Sequence, residues 1–485
     1  MSYLVWSLPL LVVALCVASG RVTSIGAGLC GAMIATIIAL TSAPIAMTME
    51  SMAATLGKGL WLAWLVIAVI LAGLFFREIV VAAASHVPTK LPATDLQRRR
   101  RVFFACFLVG PFAEAATGFG VGQVTTVAML QSAGIPTLHV VLLGLFSQVL
   151  VPWGAMANGT VVGAAFAGMT SHELGVHSAV LSIPLLLAWL VLFWRMTTAA
   201  GLVNSIRNSL VELAAVLAGL GLLLLANFAF GPEVAAMTAL GPLIIVWFWG
   251  NERPNAARWQ STLRIALPFV ALILGLAASR GIPSLNHWLR AASEVHPFAG
   301  SPSWFPLLHP ASWLILVALL TALLTGRAAI IPRALQTTWA HGRNAAATIV
   351  VYLVTAQIIS DAGMAGALAS ALASVLGPAS VIATPSLAGA FGFLTGSSNA
   401  SNGLLMASQV SFAETASLPA NRIAALQNVA AAALTMLSPA RVAMGCALVK
   451  RKDLEAIVYR KAWLLGAAPI AILSLLAVAM VICNR

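Results

Sequence analysis

Two clusters of small and polar residues interrupt long apolar stretches, one in each half of the chain. The first lies within 102–133 and holds Glu114, Thr117, Gly118, Gly120, Gly122 and Gln123. The second lies within 378–413 and holds Thr395, Gly396, Ser397, Ser398, Asn399, Ser401 and Asn402. A helix broken at such a point exposes backbone N–H groups at the start of its second arm, and these, with the helix dipole, form an anion site. Ionisable residues inside apolar segments are costly and usually functional. Glu114 and Asp361 are therefore the candidate proton carriers, since a carboxyl in a low-dielectric cavity has its pKa raised toward physiological values. Arg441 lies inside the apolar run 422–447. It can hold a substrate carboxylate, or pair permanently with Glu114 or Asp361. Gln427 and Gln148 occupy similar places in the two halves and are weaker ligand candidates, with Asn158 and Gln357 read as helix-packing residues.

The elements that must position these residues are transmembrane helices. The chain has 485 residues, of which 61% are hydrophobic and 8% charged, and its mean hydropathy is +0.98. A soluble domain carries roughly 25% charged residues, so a soluble fold is excluded. The net charge of +13 sits in short segments between apolar runs, the positive-inside pattern, and not in a nucleic-acid-binding surface. Full spans are expected near 3–19, 22–42, 59–82, 137–157, 176–194, 209–229, 232–249, 265–279, 311–326, 344–360, 422–447 and 463–483. The expected fold is thus an all-α polytopic membrane protein of about twelve transmembrane helices, with 102–133 and 378–413 as two re-entrant hairpins. The first run has no basic segment before it and is read as a retained helix. Five scattered cysteines lack metal or disulfide spacing, and no metal or cofactor is expected.

Four basic segments fix the orientation: Arg98–Arg101, 250–264 with Arg253, Arg258 and Arg264, 327–343 with Arg327, Arg333 and Arg343, and Lys450 through Lys461. All four fall in the cytoplasm only if each broken stretch enters and leaves on one side. The hairpins then open from opposite faces. This predicts an inverted repeat, with 1–208 as the first copy, 209–262 as a linking helix pair and 263–485 as the second. Interrupted segments at matching places in two halves point to a secondary transporter's binding site.

At these residues the chain resembles the lactate permease family of bacterial carriers. Glu114 through Gly120 is similar to that family's Glu-Gly-Ala-Ala-Gly-Phe-Gly motif, and Thr395 through Asn402 to its Thr-Gly-Ser-Asn-Thr-x-Ser-Asn motif. Leu418-Pro419 and Ala425-Leu426-Gln427 also match, and Asp361 through Met364 does loosely. Val121-Gly122 stands in place of a Thr-Pro step, and Arg441 where a neutral or His/Asn residue is expected. The resemblance implies proton-coupled uptake of L-lactate, glycolate and related 2-hydroxy acids across the cell inner membrane. On that reading the glycines of the first tip approach the substrate carboxylate, and the Ser/Asn residues of the second bond its 2-hydroxyl.

A sodium-coupled di- or tricarboxylate carrier is the alternative, because Ser/Asn-rich tips also suit sodium. A passive channel is a further class. An intramembrane enzyme lacks a nucleophile–base pair or metal cluster in this sequence. The expected partners are a small organic anion, the coupling proton and membrane lipid. Whether two copies form a homodimer is left open.

Overall fold

The computed structural model describes residues 2–83, 94–118, 120–252 and 255–483. Every regular element there is helical, and a single antiparallel bridge joins Val295 to Trp304. Helices α1 (Ser2–Ala18), α2 (Ser24–Thr41) and α3 (Met49–Ala83) open the chain. Helix α4 (Asp95–Phe103) runs through a π turn at Phe104–Val109 into α5 (Gly110–Thr117), and α6 (Val121–Ser132) follows a break. The π turn precedes Pro111, whose missing N–H disturbs the regular ladder. Next come α7 (Thr137–Gly144), α8 (Gly154–Ala167) and α9 (Ser171–Ala199). The linking pair is α10 (Ile206–Phe230) and α11 (Pro232–Glu252), followed by α12 (Ala256–Gly281), α13 (Pro283–Ala291) and α14 (Pro310–Leu324). The last part holds α15 (Ile331–Asp361), α16 (Met364–Leu376), α17 (Thr384–Thr395), α18 (Ser398–Thr415), α19 (Ala420–Thr435), α20 (Pro439–Leu448) and α21 (Glu455–Cys483).

Among the described residues ten helices are long and apolar enough to cross a bilayer, or eleven if the bent pair Thr137–Gln148 and Val151–Ala167 counts as one span. Two of the expected spans are the shorter apolar helices α1 and α14. The chain is an all-α, multi-pass membrane protein. Several segments expected as basic loops are helical. Arg333 and Arg343 ride on the first half of α15, and Arg264 on α12. Pro332 at the start of α15 favours helix initiation there, and no breaker follows before the apolar part. Arg253 and the side chain of Arg258 lie outside the described residues.

Both broken stretches fold as hairpins. In the first, Arg98 on α4 donates through Nε to the carbonyl of Ala133 at 2.7 Å and through a second nitrogen to that of Gly134. Thr126 Oγ1 on α6 donates to the carbonyl of Ala105 at 3.1 Å. The two ends of the stretch therefore lie side by side. In the second, Ser401 Oγ on α18 donates to the carbonyl of Ala388 at 2.9 Å, and Thr384 Oγ1 bonds Gln409 Oε1 at 2.5 Å. Arms α17 and α18 thus run antiparallel. The flanking helices pack reciprocally: α3 lies along α15, α2 packs on α15, and α14 packs on α3.

Two stretches expected as continuous spans are broken. The 137–157 run ends its helix in a 3-10 turn at Leu145–Gln148, bends by 57°, and restarts after Ala155, Met156 and Ala157, whose φ values of 48°, 55° and 59° are left-handed. Each such residue costs about 1–3 kcal/mol and persists only where its surroundings hold it. The 422–447 run stops at Thr435 and restarts at Pro439. Proline cannot continue the preceding ladder, and the side chain of Ser438 caps the new start by accepting from the Arg441 amide. Each half therefore contains a hairpin followed by an unwound helix.

Candidate functional site

The first tip is built by two glycines. Gly118 has φ +71° and Gly120 has φ +84°, angles that other residues adopt only with strain. They turn the chain between α5 and α6. Gly122 sits where the arms touch, since a Cβ there would lie 2.4 Å from the carbonyl of Gly110. This turn brings the Glu114 carboxylate over the start of α6. It accepts from the Gly120 amide at 3.1–3.2 Å and from the Gly122 amide at 3.1 Å. Arg441 completes the cluster, its Nη2 lying 2.9 Å from Glu114 Oε1. The glutamate side chain is 4% exposed and the arginine 14%.

That geometry revises the reading of the tip amides as an open substrate site. In this conformation the protein's own carboxylate occupies them. Arg441, which the sequence leaves as substrate ligand or ion-pair partner, is paired with Glu114. The pair balances two unfavourable placements. An arginine in the first turn of α20 opposes the helix dipole, and a buried glutamate is costly alone. Gln123 ties the cluster to α20 by donating to the Arg441 carbonyl at 3.0 Å. That bond fixes its nitrogen, so Oε1 is the buried atom left without a partner. Thr117 bonds the carbonyl of Ala113 in its own helix and packs toward Gly73 on α3.

The second tip has no charged residue. Gly396 has φ +65°. Thr395 Oγ1 accepts from the Ser397 amide at 3.3 Å, and Ser397 Oγ caps α18 by accepting from the Ala400 amide at 3.4 Å. The amides of Ser398 and Asn399 open the helix and belong to the donors that a helix start leaves unpaired. Asn402 Nδ2 donates at 2.8 Å to both the Gly159 carbonyl and Asn428 Oδ1. Asn428 passes the network on to Thr160 at 3.0 Å and Ser178 at 2.9 Å. Gln427 Nε2 bonds the Ser401 carbonyl and hydroxyl at 3.3 and 3.2 Å. These carbonyl partners fix the amide orientations. Three acceptor oxygens are left buried and unpaired: Asn399 Oδ1, Asn402 Oδ1 and Gln427 Oε1.

The two tips meet the same two unwound segments. A Cβ on Gly118 would lie 2.5 Å from Ala155, and one on Gly159 would lie 2.4 Å from Ser398 Oγ. Ala155 and Gly159 flank the rest of this unwound segment. On the other side, a Cβ on Gly120 would lie 2.6 Å from the Arg441 guanidinium, and one on Gly396 would lie 3.2 Å from Ser438 Oγ. The tips are thus held between the breaks in α7–α8 and α19–α20.

Residues 255–483 match the family model for L-lactate permease. Over these residues the chain is similar to the L-lactate permease family. It is a transporter family, and the matched part includes Asp361, the second tip, Gln427 and Arg441. The first tip lies outside the match. A comparison with curated proteins returns no match.

Asp361 does not join the tip cluster. It accepts from Thr55 at 2.8 Å and Gln357 at 2.9 Å, and its carboxylate lies 3.5 Å from Lys58. This group lines a separate cavity of about 190 Å³ beside Gly300–Pro302. Among the described residues no cluster of His, Cys, Asp or Glu could hold a metal ion. The sequence reading did not single out the unwound segment 155–157 or the partners Gly159, Thr160, Asn428, Ser178 and Ser438. Pro152-Trp153-Gly154 and Ser438-Pro439 are the sequence signals for those breaks.

Proposed function

We propose that the protein is a proton-coupled importer of small monocarboxylates, L-lactate and related 2-hydroxy acids, in the cell inner membrane. The observation that carries this reading is the Glu114 carboxylate lying on the Gly120 and Gly122 amides beside Arg441. Glu114 acts as an internal stand-in for the substrate anion. When it takes a proton, it loses its attraction for the guanidinium and the two amides. A substrate carboxylate then has the same donors available, and the cluster's charge is restored. Proton and anion therefore bind together, which is the thermodynamic requirement of symport. The neutral second tip supplies hydroxyl and amide groups for a 2-hydroxyl. In this scheme the two hairpins are re-entrant from opposite faces, the halves form an inverted repeat, and Asp361 is a second candidate on the proton path.

Uptake of labelled L-lactate into proteoliposomes tests the reading. Accumulation is expected when the outside is acidified and is expected to vanish when a protonophore collapses the gradient. No gradient-dependent uptake of any small carboxylate contradicts it. A second reading, sodium coupling, is favoured by the three unpaired acceptor oxygens at the second tip, because transporters coordinate sodium with carbonyl oxygens at unwound helices. Uptake that follows sodium and ignores pH supports that reading instead.

A further inference from the structure

A cavity of about 440 Å³ runs from the 282–309 segment down to Met156 and Asn158 at the unwound start of α8. This is within the roughly 300–1,000 Å³ range of small-molecule sites. Its lining includes two guanidiniums, Arg280 and Arg290, and one carboxylate, Glu233. Arg280 donates to the carbonyls of Leu308 at 3.0 Å and Leu276 at 3.5 Å, and to Ser279 Oγ at 3.4 Å. Arg290 donates to Asn286 Oδ1 at 2.8 Å and lies over the Phe305 ring at 4.9 Å. Among the described residues neither arginine forms an ion pair with a carboxylate. Glu233 stands in the first turn of α11, where it complements the helix dipole. Glu294, exposed nearby, is engaged by the Ser303 hydroxyl at 2.7 Å. His309 also lines the cavity, and its Nδ1 has no partner. Burial, with Arg280 beside it, lowers its pKa from 6.5 to about 4, so at neutral pH it is an uncharged hydrogen-bonding group.

We infer that Arg280 and Arg290 form a second anion site, which takes the carboxylate of a small organic anion above the hairpin tips. The Glu233 charge acts on Arg280, but two guanidiniums share this one carboxylate, so the lining keeps a net positive charge. A cleft of net positive charge raises the local concentration of anions. A carboxylate between the two guanidiniums neutralises that excess, and the cavity reaches Met156 and Asn158 at the unwound segment. The identity of the anion as cargo rests on the proposed function; the existence of the site does not.

The test is calorimetric titration of L-lactate into the purified protein, with proteoliposome uptake run in parallel. In Arg441→Gln, where the central cluster is disabled, saturable lactate binding persists. Adding Arg290→Gln weakens it about tenfold, the loss expected for one charge-assisted hydrogen bond. Arg290→Gln alone raises the KM for uptake and leaves the maximal rate unchanged. Arg280→Gln repeats the binding result if it folds, and the exposed Arg290 decides the matter if it does not. Absence of lactate binding in Arg441→Gln, or binding unchanged by Arg290→Gln, overturns the inference. Failure of the proposed function has a different signature, in which cavity binding is intact but no gradient drives uptake.

Discussion

The two hairpin tips share a backbone device and differ in charge. Each reverses an apolar helix at left-handed glycines, and each presents a helix start to an unwound neighbour. The first tip fills its anion site with Glu114 and closes it with Arg441. The second tip is neutral and leaves buried oxygens unpaired. A charged, self-occupied tip can be switched by one proton. A neutral tip changes little with protonation and is suited to recognising a hydroxyl. Under the proposed function, this difference assigns coupling to the first tip and selectivity to the second.

That division of labour can be broken by substitution. Arg441→Gln removes the cation paired with Glu114, which the proposed function also gives to the substrate, and lactate uptake is expected to fall by at least about a hundredfold, the loss for a buried charge-assisted contact. Glu114→Gln separates the roles more sharply. It mimics the protonated carboxyl, so proton-driven accumulation is lost while lactate counterflow continues. A variant dead in both assays assigns Glu114 a structural role. A stability control lies away from both tips. Arg99 and Glu212, 0% and 2% exposed, are paired through bonds of 2.9–3.0 Å. Arg99→Ala should cost about 3–5 kcal/mol by leaving a buried charge alone, read as a lower melting temperature in detergent.

The glycines offer a smaller contrast. Gly120→Ala strains a left-handed position and drives a Cβ against Met444 and to 2.6 Å from Arg441, while at Gly396→Ala the nearest atom is Ser438 Oγ at 3.2 Å. Both carry a backbone penalty of about 1–2 kcal/mol, but only Gly120→Ala is expected to weaken lactate binding severalfold beyond its effect on stability. The smallest effect on lactate uptake is expected for Asn402→Ala. It leaves Asn428 and the Gly159 carbonyl short of a donor, at about 1–3 kcal/mol, and alters discrimination between lactate and propionate without changing pH dependence.

Much of this arrangement is legible in the chain. The hairpins announce themselves because Gly118, Gly120 and Gly396 sit in runs that are otherwise good helix formers, and because Ser397 is a strong N-cap type. The Arg441–Glu114 pair follows from the rule that a charge inside an apolar segment needs a partner, although spacing alone does not choose Glu114 over Asp361. The unwound start of α8 is harder to read. Ala155, Met156 and Ala157 all favour helix, so their left-handed backbone is imposed by packing around the first tip. The filled anion site was equally hidden. Glu114 reaches Gly120 and Gly122 only after the chain has reversed, so its contact belongs to the turn and not to any helical spacing.

The claim that Glu114 exchanges its donors for a substrate carboxylate on protonation is tested most directly by counting protons taken up with lactate. Calorimetric titrations in buffers of different ionisation enthalpy give this number. The account predicts about one proton bound per lactate by the unmodified protein and none by Glu114→Gln. Lactate binding with no proton uptake, or the same uptake in both proteins, contradicts it.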